Sequence, residues 1–234
     1  MNRHDGLLPS TLLSSHLLGP TSKTDQEVAH STSGGYVLGD PGQPAPVPTL
    51  LIAIFDDSYS VTGSTGNDPL SNRYAEARRA LTVVARRGSR RELAALLHFD
   101  TPRGDVGPVS LTRNGMRRLS RSLCVPQGAA GSSELGPSLR RAAAFAESCP
   151  QHAATLVIFS DLLLLDRDPS RVFRGLEDFA GEVHLVVLGS CVTPAELDGQ
   201  VSITHIDRSD SPGAVARALF ASLVTHRPGS HVAT

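Results

Sequence analysis

Short runs of consecutive apolar residues alternate along this chain with stretches in which apolar residues recur every three or four positions. Leu50 to Phe55, Leu93 to Phe99, Ala154 to Ser160 and Val183 to Leu188 are runs of the first kind, and Val201 to Ile206 is read as a further strand. A run that is apolar on both of its alternating faces predicts a strand covered on both sides. Between the runs, Leu70, Tyr74, Ala77, Leu81 and Val84 fall at helical spacing, as do Leu135, Leu139, Ala142 and Ala146, then Val172, Leu176 and Phe179, and finally Val215, Leu219 and Leu223. Each set predicts a helix with one buried stripe, and Arg113 to Leu123 is long enough for a further short one. Asp68-Pro69 and Asp168-Pro169 read as an N-cap followed by Pro at the first helical position, and Ser211-Pro212 opens the last helix. Gly104 and Gly107 allow a turn into Pro108 to Leu111, a predicted antiparallel edge strand.

Strands alternating with helices predict an α/β fold: a doubly wound, Rossmann-like three-layer sandwich whose six-stranded sheet is mostly parallel with one antiparallel edge strand. The pattern assigns this domain to residues 48–228. Residues 1–47 contain much Ser, Thr, Gly and Pro and end in "GDPGQPAPVP", through which no regular element runs, so they read as an extension and linker. Residues 229–234 form a tail. The leucines of "LLPSTLLSSHLL", residues 7–18, suffice for a short anchoring segment that has too few neighbours to fold alone.

Composition narrows the partners. With 40% hydrophobic residues in 234, the chain can bury a sizeable core. A formal net charge of -1 provides no field to recruit nucleic acid or an anionic membrane. The basic "RRGSRR" at residues 86–91 lacks interleaved aromatics and stands where a helix ends, so it reads as a solvated turn; the "RGD" at 103–105 reads as a hairpin turn. Cys124, Cys149 and Cys191 are widely separated and outside any C-x-x-C setting, which predicts reduced thiols and a cytoplasmic protein. Asp5, Pro9 and His16 interrupt any apolar signal region. Lys23 is the one lysine among 22 basic residues, a bias that suggests a bacterial source with a GC-rich genome.

The carboxyl ends of the strands are where open α/β sheets bind ligands, and the first strand ends in "AIFDDSYSVTGSTGNDP", residues 53–69. Asp56, Ser58 and Ser60 form a D-x-S-x-S motif there. Two later stretches complete a pattern: "GAAGSSELGPSL", residues 128–139, with Ser133, and "LVIFSDL", residues 156–162, with Asp161. Together the three resemble the metal-ion-dependent adhesion site of von Willebrand factor A domains, over about Pro48 to His226. The resemblance implies metal ligands at Asp56, Ser58, Ser60, Ser133 and Asp161, and a non-catalytic interaction module that takes Asp or Glu of a partner protein, such as an AAA+ ATPase or another subunit of a bacterial assembly.

The donor chemistry points the same way, because hydroxyl and carboxylate oxygens without His or Cys suit Mg²⁺ or Mn²⁺. Two facing carboxylates with no cation would repel. Three departures from the common pattern stand out: Leu162 where Gly is usual, Ser133 in place of Thr, and the eight residues Val61 to Asp68 between Ser60 and Pro69. Taken singly, Ser133 also reads as a helix N-cap, Asp161 as a turn residue, and the D-x-S-x-S stretch as a polar junction without an ion. "DLLLLD", residues 161–166, admits two readings: a strand or helix with its leucines in the core, or apolar surface at the rim of the metal. On the second reading Tyr59, Leu162 and Leu163 contact the partner.

Other chemistries fit less well. A metal-dependent phosphatase of haloacid-dehalogenase type needs an Asp where this chain has Ser58, and a later Lys. No G-x-S-x-G elbow or G-x-x-x-x-G-K loop occurs. A domain of the same fold without a metal remains a further reading because of Leu162. His98, His184 and His205 lie on strands at no ligand spacing and read as hydrogen-bonded structural histidines.

Overall fold

The structure, a computed structural model, describes residues 35–37, 47–68, 70, 72–87, 91–99, 104–126, 133–197, 199, 201–224 and 231–233. Their elements run β1 (Gly35–Val37), β2 (Thr49–Phe55), α1 (Tyr59–Thr62), α2 (Asn72–Arg87), β3 (Leu93–His98), β4 (Val106–Ser110), α3 (Arg113–Ser122), α4 (Gly136–Ser148), β5 (Ala153–Ser160), α5 (Pro169–Glu177), β6 (Glu182–Leu188), a 3₁₀ turn (Ala195–Leu197), β7 (Ser202–Ile206), α6 (Ala214–Val224) and β8 (His231–Ala233).

The main sheet has six strands in the order β4-β3-β2-β5-β6-β7. All neighbours are parallel except β3 and β4, which pair antiparallel at the edge. Alternation along β2 explains its unbroken apolar run. Leu51, Ala53 and Phe55 face the layer of α2, α3 and α6, whereas Leu50, Ile52 and Ile54 face that of α4 and α5. Both sides are therefore dry, and Phe55 stacks on Phe159 of the neighbouring strand with ring centroids 4.9 Å apart. The connections leave β2 toward β3 on one side while β5 returns on the other, so the winding reverses between β2 and β5. That reversal opens a crevice at their carboxyl ends, the usual ligand position in such sheets.

Several details differ from the sequence pattern. Asp68 does cap the following helix, accepting from the amides of Asn72 (2.9 Å) and Arg73 (3.2 Å), but the helix begins at Asn72 rather than at residue 69. Likewise α6 begins at Ala214 rather than at Pro212, because its first amides are met from another helix: the Glu76 carboxylate accepts from Gly213 and Val215, at 2.8 and 2.9 Å. Asp168 caps α5 as the pattern predicts, accepting from the Arg171 amide at 3.1 Å. Within the predicted extension and tail, β1 and β8 pair antiparallel with Tyr36 opposite Val232, so these segments contribute a short two-stranded sheet. Residues 7–18 lie outside the described residues. Among the described residues no helix is long and apolar enough to cross a membrane.

Candidate functional site

The crevice between β2 and β5 holds two carboxylates. Asp56 directly follows β2, where its amide bonds the Phe159 carbonyl at 2.9 Å, and its side chain is fully buried. One carboxylate oxygen accepts from the Ser58 amide at 2.9 Å, the other from the Ser160 hydroxyl at 2.6 Å. Asp161 directly follows β5 and is also fully buried. Its Oδ1 accepts from the Leu163 amide at 3.1 Å, and its Oδ2 from Asn67 Nδ2 at 3.4 Å. Burial is the main force that raises the Asp56 pKa to about 6; hydrogen bonds from Ser160 and Ser58 oppose it, and the nearby charge of Asp161 adds to it.

The hydroxyls of Ser58 and Ser60 lie 2.9 Å apart, hydrogen-bonded to each other at the start of the single-turn α1. Ser133 enters from a different segment. Its carbonyl accepts from the Leu165 amide at 3.0 Å, which fixes the approach to α4 against the loop after β5. The N-cap residue of α4 is Leu135, with no side-chain cap of its own; the Asp166 carboxylate accepts from the amides of Leu135 and Gly136, at 2.8 and 2.9 Å. Ser133 is thus not the helix cap. Of the five predicted ligands, the structure gathers Asp56, Ser58, Ser60 and Asp161 by side-chain contacts or charge, and ties Ser133 in through its backbone.

"DLLLLD" is neither strand nor helix. Leu162 has a positive φ of 59°, alone among the described non-glycine residues, and its amide bonds the Ser160 hydroxyl at 2.9 Å. Leu164 packs on the core beneath α5, while Leu163 and Leu165 are 55% and 67% exposed. Tyr59 is 73% exposed on the adjacent loop. Of the predicted partner contacts, Tyr59 and Leu163 therefore face solvent, whereas Leu162 is half-buried.

The residues missed in the sequence lie just beneath. Asp57 points away from the crevice and accepts from Arg73 Nη2 at 2.8 Å and from the Tyr74 hydroxyl; its other oxygen lies 2.7 Å from His98 Nδ1. Arg73 is buried at 1% exposure and clasps both ends of the loop, donating to the Asp56 carbonyl at 2.9 Å and to the Asp68 carboxylate at 2.7 Å. One signal was available, because Arg73 stands four residues before Ala77 on the inward stripe of α2, and a charge at an inward position demands a partner. Ser160 and Asn67 gave no such signal. His98 is bonded at its other nitrogen to the Ser122 carbonyl at 3.0 Å, and His184 to Ser222 and Thr204, so both are structural.

The donor set fits a hard divalent cation. The paired buried charges of Asp56 and Asp161 favour one, serine hydroxyls stand beside them, and among the described residues no guanidinium or imidazole bonds the Asp56 carboxylate. Among the described residues no group of three or more His, Cys, Asp or Glu is placed to hold a metal ion, so a cation here would rest on the two carboxylates and the serine hydroxyls alone.

No family model and no curated protein matches the sequence. Solved structures do match the fold. A von Willebrand factor type A protein from Catenulispora acidiphila is 14% identical over 84% of this chain and 51% of its own, with a TM-score of 0.54. Proximal thread matrix protein 1 from the mussel byssus, whose adhesion-site motif is occupied by zinc, is 16% identical over 77% of this chain and 48% of its own, with a TM-score of 0.54. The manganese-loaded TRAP protein of Plasmodium vivax is 11% identical over 86% and 83%, with a TM-score of 0.51. The chain thus has a von Willebrand factor A-like fold. It spans about half the length of the first two of these relatives.

Proposed function

We propose that this chain is a non-catalytic protein-interaction module, in which Asp56, Ser58, Ser60, Ser133 and Asp161 hold Mg²⁺ or Mn²⁺ and the cation takes an Asp or Glu carboxylate of a partner protein. The observation that carries the reading is the pair of fully buried carboxylates at the winding reversal, bonded to no cationic side chain among the described residues and flanked by serine hydroxyls. The metals that the mussel and Plasmodium proteins carry support a divalent ion in this fold. A bound cation supplies a Lewis-acid position for an incoming carboxylate. The chain's own residues orient it: Ser160 and the Ser58 amide fix the Asp56 carboxylate, Asn67 and the Leu163 amide fix Asp161, and Arg73 holds the loop between. Among the described residues no histidine or lysine bonds the carboxylates or serines of the crevice, which supports binding rather than turnover. The proposal extends to a cytoplasmic assembly subunit or ATPase accessory, in keeping with three unpaired thiols.

A second reading, a domain whose junction is closed by its own hydrogen bonds, is favoured by the fact that both Asp56 oxygens already have partners. Calorimetric titration of MgCl₂ and MnCl₂ into the full chain separates the two. A single cation per chain, lost in Asp56→Ala with the melting transition retained, supports the cation reading. Equal affinity in the variant refutes it, and no uptake by a folded wild type establishes the closed junction.

A further inference from the structure

The balanced total charge conceals a segregation. Residues 72–124 hold 12 arginines against four acidic residues, in a chain whose formal net charge is -1. That stretch provides α2 and α3, which pack in one layer over Leu51, Ala53 and Phe55. α3 contains no acidic residue, and α2 contains one, Glu76, whose carboxylate is committed to the amides of Gly213 and Val215. Arg78, Arg79 and Arg86 of α2 are exposed, as are Arg113, Arg117, Arg118 and Arg121 of α3.

Helical spacing gathers these side chains. Gly115, Leu119 and Ser122 take the buried side of α3. At about 100° per residue, Arg113, Arg117 and Arg121 fall within about 80° of one another on the opposite side. The same count puts Arg78, Arg79 and Arg86 within about 100° on α2, opposite the buried Ala77, Ala80 and Val84. The two stripes meet where α3 ends, because Arg78 Nη2 donates to the Leu123 carbonyl at 3.0 Å. The other six arginines make no hydrogen bond or ion pair with another described residue. A total of -1 governs the field at a distance, but within a Debye length of about 10 Å at 0.1 M salt this face is positive.

The rest of the face selects its occupant. Among the described residues no large apolar side chain is exposed on either helix. The core of a protein interface is apolar and depleted of charge, and a helix that lies on a membrane inserts an apolar face, which α2 and α3 have already turned onto the sheet. Tyr74, the one aromatic residue of the two helices, is buried, so no ring is presented to unpaired bases. What the guanidiniums complement is a dense row of phosphates. We propose that α2 and α3 bind the backbone of duplex nucleic acid without reading its sequence. The stripe from Arg113 to Arg121 rises about 12 Å, a length over which a duplex carries about seven phosphate charges. The proposal does not depend on the cation reading, whose carboxylates follow the ends of β2 and β5.

The probe is a short fluorescein-labelled DNA duplex of arbitrary sequence, titrated with the full chain while anisotropy is followed at salt concentrations from about 50 to about 200 mM. Saturable binding is expected, with the logarithm of affinity falling linearly against that of salt at a slope of about -4 to -6, as about five to seven phosphate contacts require. A duplex of unrelated sequence should bind equally well. The double variant Arg117→Glu, Arg121→Glu should weaken binding by about tenfold or more and flatten the slope by about two. Arg171→Glu, which reverses an exposed charge on α5, should leave both quantities unchanged. Absence of saturable binding by the unaltered chain at the lowest salt overturns the proposal without recourse to a variant. Binding that survives the double reversal, with its slope intact, overturns the assignment to this face. Tighter capture of phosphatidylserine vesicles or of polyglutamate, lost in the same double variant, overturns the duplex as occupant and gives the face to a membrane or to an acidic protein.

Discussion

Leu162 concentrates the conflict between this sequence and its fold in one backbone angle. Its φ of 59° lies in the left-handed region, where an L-residue with a Cβ carries a strain of about 1–2 kcal/mol relative to its usual conformations. The loop holds it there because the turn lets the Leu162 amide reach Ser160 and the Leu163 amide reach Asp161, at 2.9 and 3.1 Å. Replacing Leu by Gly alone confounds strain with loss of a half-buried side chain. The clean comparison is Leu162→Gly against Leu162→Ala, which both remove that side chain and differ only in the Cβ. At an ordinary helical or extended position Ala is the more stable, by about 0.5–1 kcal/mol, because Gly loses more backbone entropy on folding. Here the relief of strain exceeds that term, so the order reverses and Gly should exceed Ala by roughly 0.5–1 kcal/mol. In a domain of this size that separates the melting midpoints by about 1–4 °C, and urea titrations with a common slope give the free-energy difference directly. A variant with Ala as stable as the one with Gly, or more so, would refute the claim that residue 162 is held in a strained conformation to arrange Asp161.

Two further outcomes follow from the buried charges. Arg73→Ala leaves Asp57 buried with its guanidinium partner gone and should cost about 3–5 kcal/mol in urea unfolding; a loss below about 1 kcal/mol would show that Tyr74 and His98 suffice to hold that carboxylate. Asp56 has a folded pKa of about 6 against an ordinary value of 3.8, so the native state holds its proton more tightly than the unfolded chain. In chelator, stability should therefore fall as pH rises from about 4 to about 6, by roughly 3 kcal/mol in total, and level off above. Asp56→Asn should remove that slope, and an identical slope in the variant would show that another group carries it.

The architecture was legible because it rests on repetition. The four inner strands announced themselves as apolar runs and every long helix as a stripe, since both faces of one and one face of the other must be dry; the edge strands β4 and β7 are mixed in pattern and only partly buried. The cap of α2, Asp68, was legible although the helix begins three residues later than predicted, whereas the start of α6 was not, because its first amides are met by Glu76 from another helix. Local cap patterns cannot report a partner more than a hundred residues away. Asp166 stands 31 and 30 residues from the amides it meets, so it too was invisible as the cap of α4, and Ser133 was free to be read as one. At the site, the carboxylates and serines could be read because three short motifs carry them. Ser160, Asn67 and Arg73 could not, being ordinary polar residues whose meaning comes only from what the fold sets beside them. "DLLLLD" shows the limit most plainly: four identical residues divide into a strained one, a core one and two exposed ones according to the turn they make.

The adjacent aspartates that end β2 have opposite surroundings, and the contrast bears on what the junction is for. Asp57 turns toward α2, where the chain provides a guanidinium, a phenol and an imidazole, and its charge is balanced within the core. Asp56 turns toward β5, where among the described residues it meets neutral donors and the charge of Asp161. The same Arg73 that neutralises Asp57 approaches Asp56 too, yet it bonds the backbone carbonyl and not the carboxylate. A capped turn needs one such carboxylate at most, and a second, buried beside it at the end of the neighbouring strand, costs stability through both desolvation and repulsion. Natural domains retain costs of that kind at functional sites. On the proposed cation reading the clasp of Arg73 across Asp56 and Asp68 has a consistent role: with its charge already committed, it holds the loop that carries Ser58 and Ser60 and leaves the Asp56 and Asp161 carboxylates to the ion.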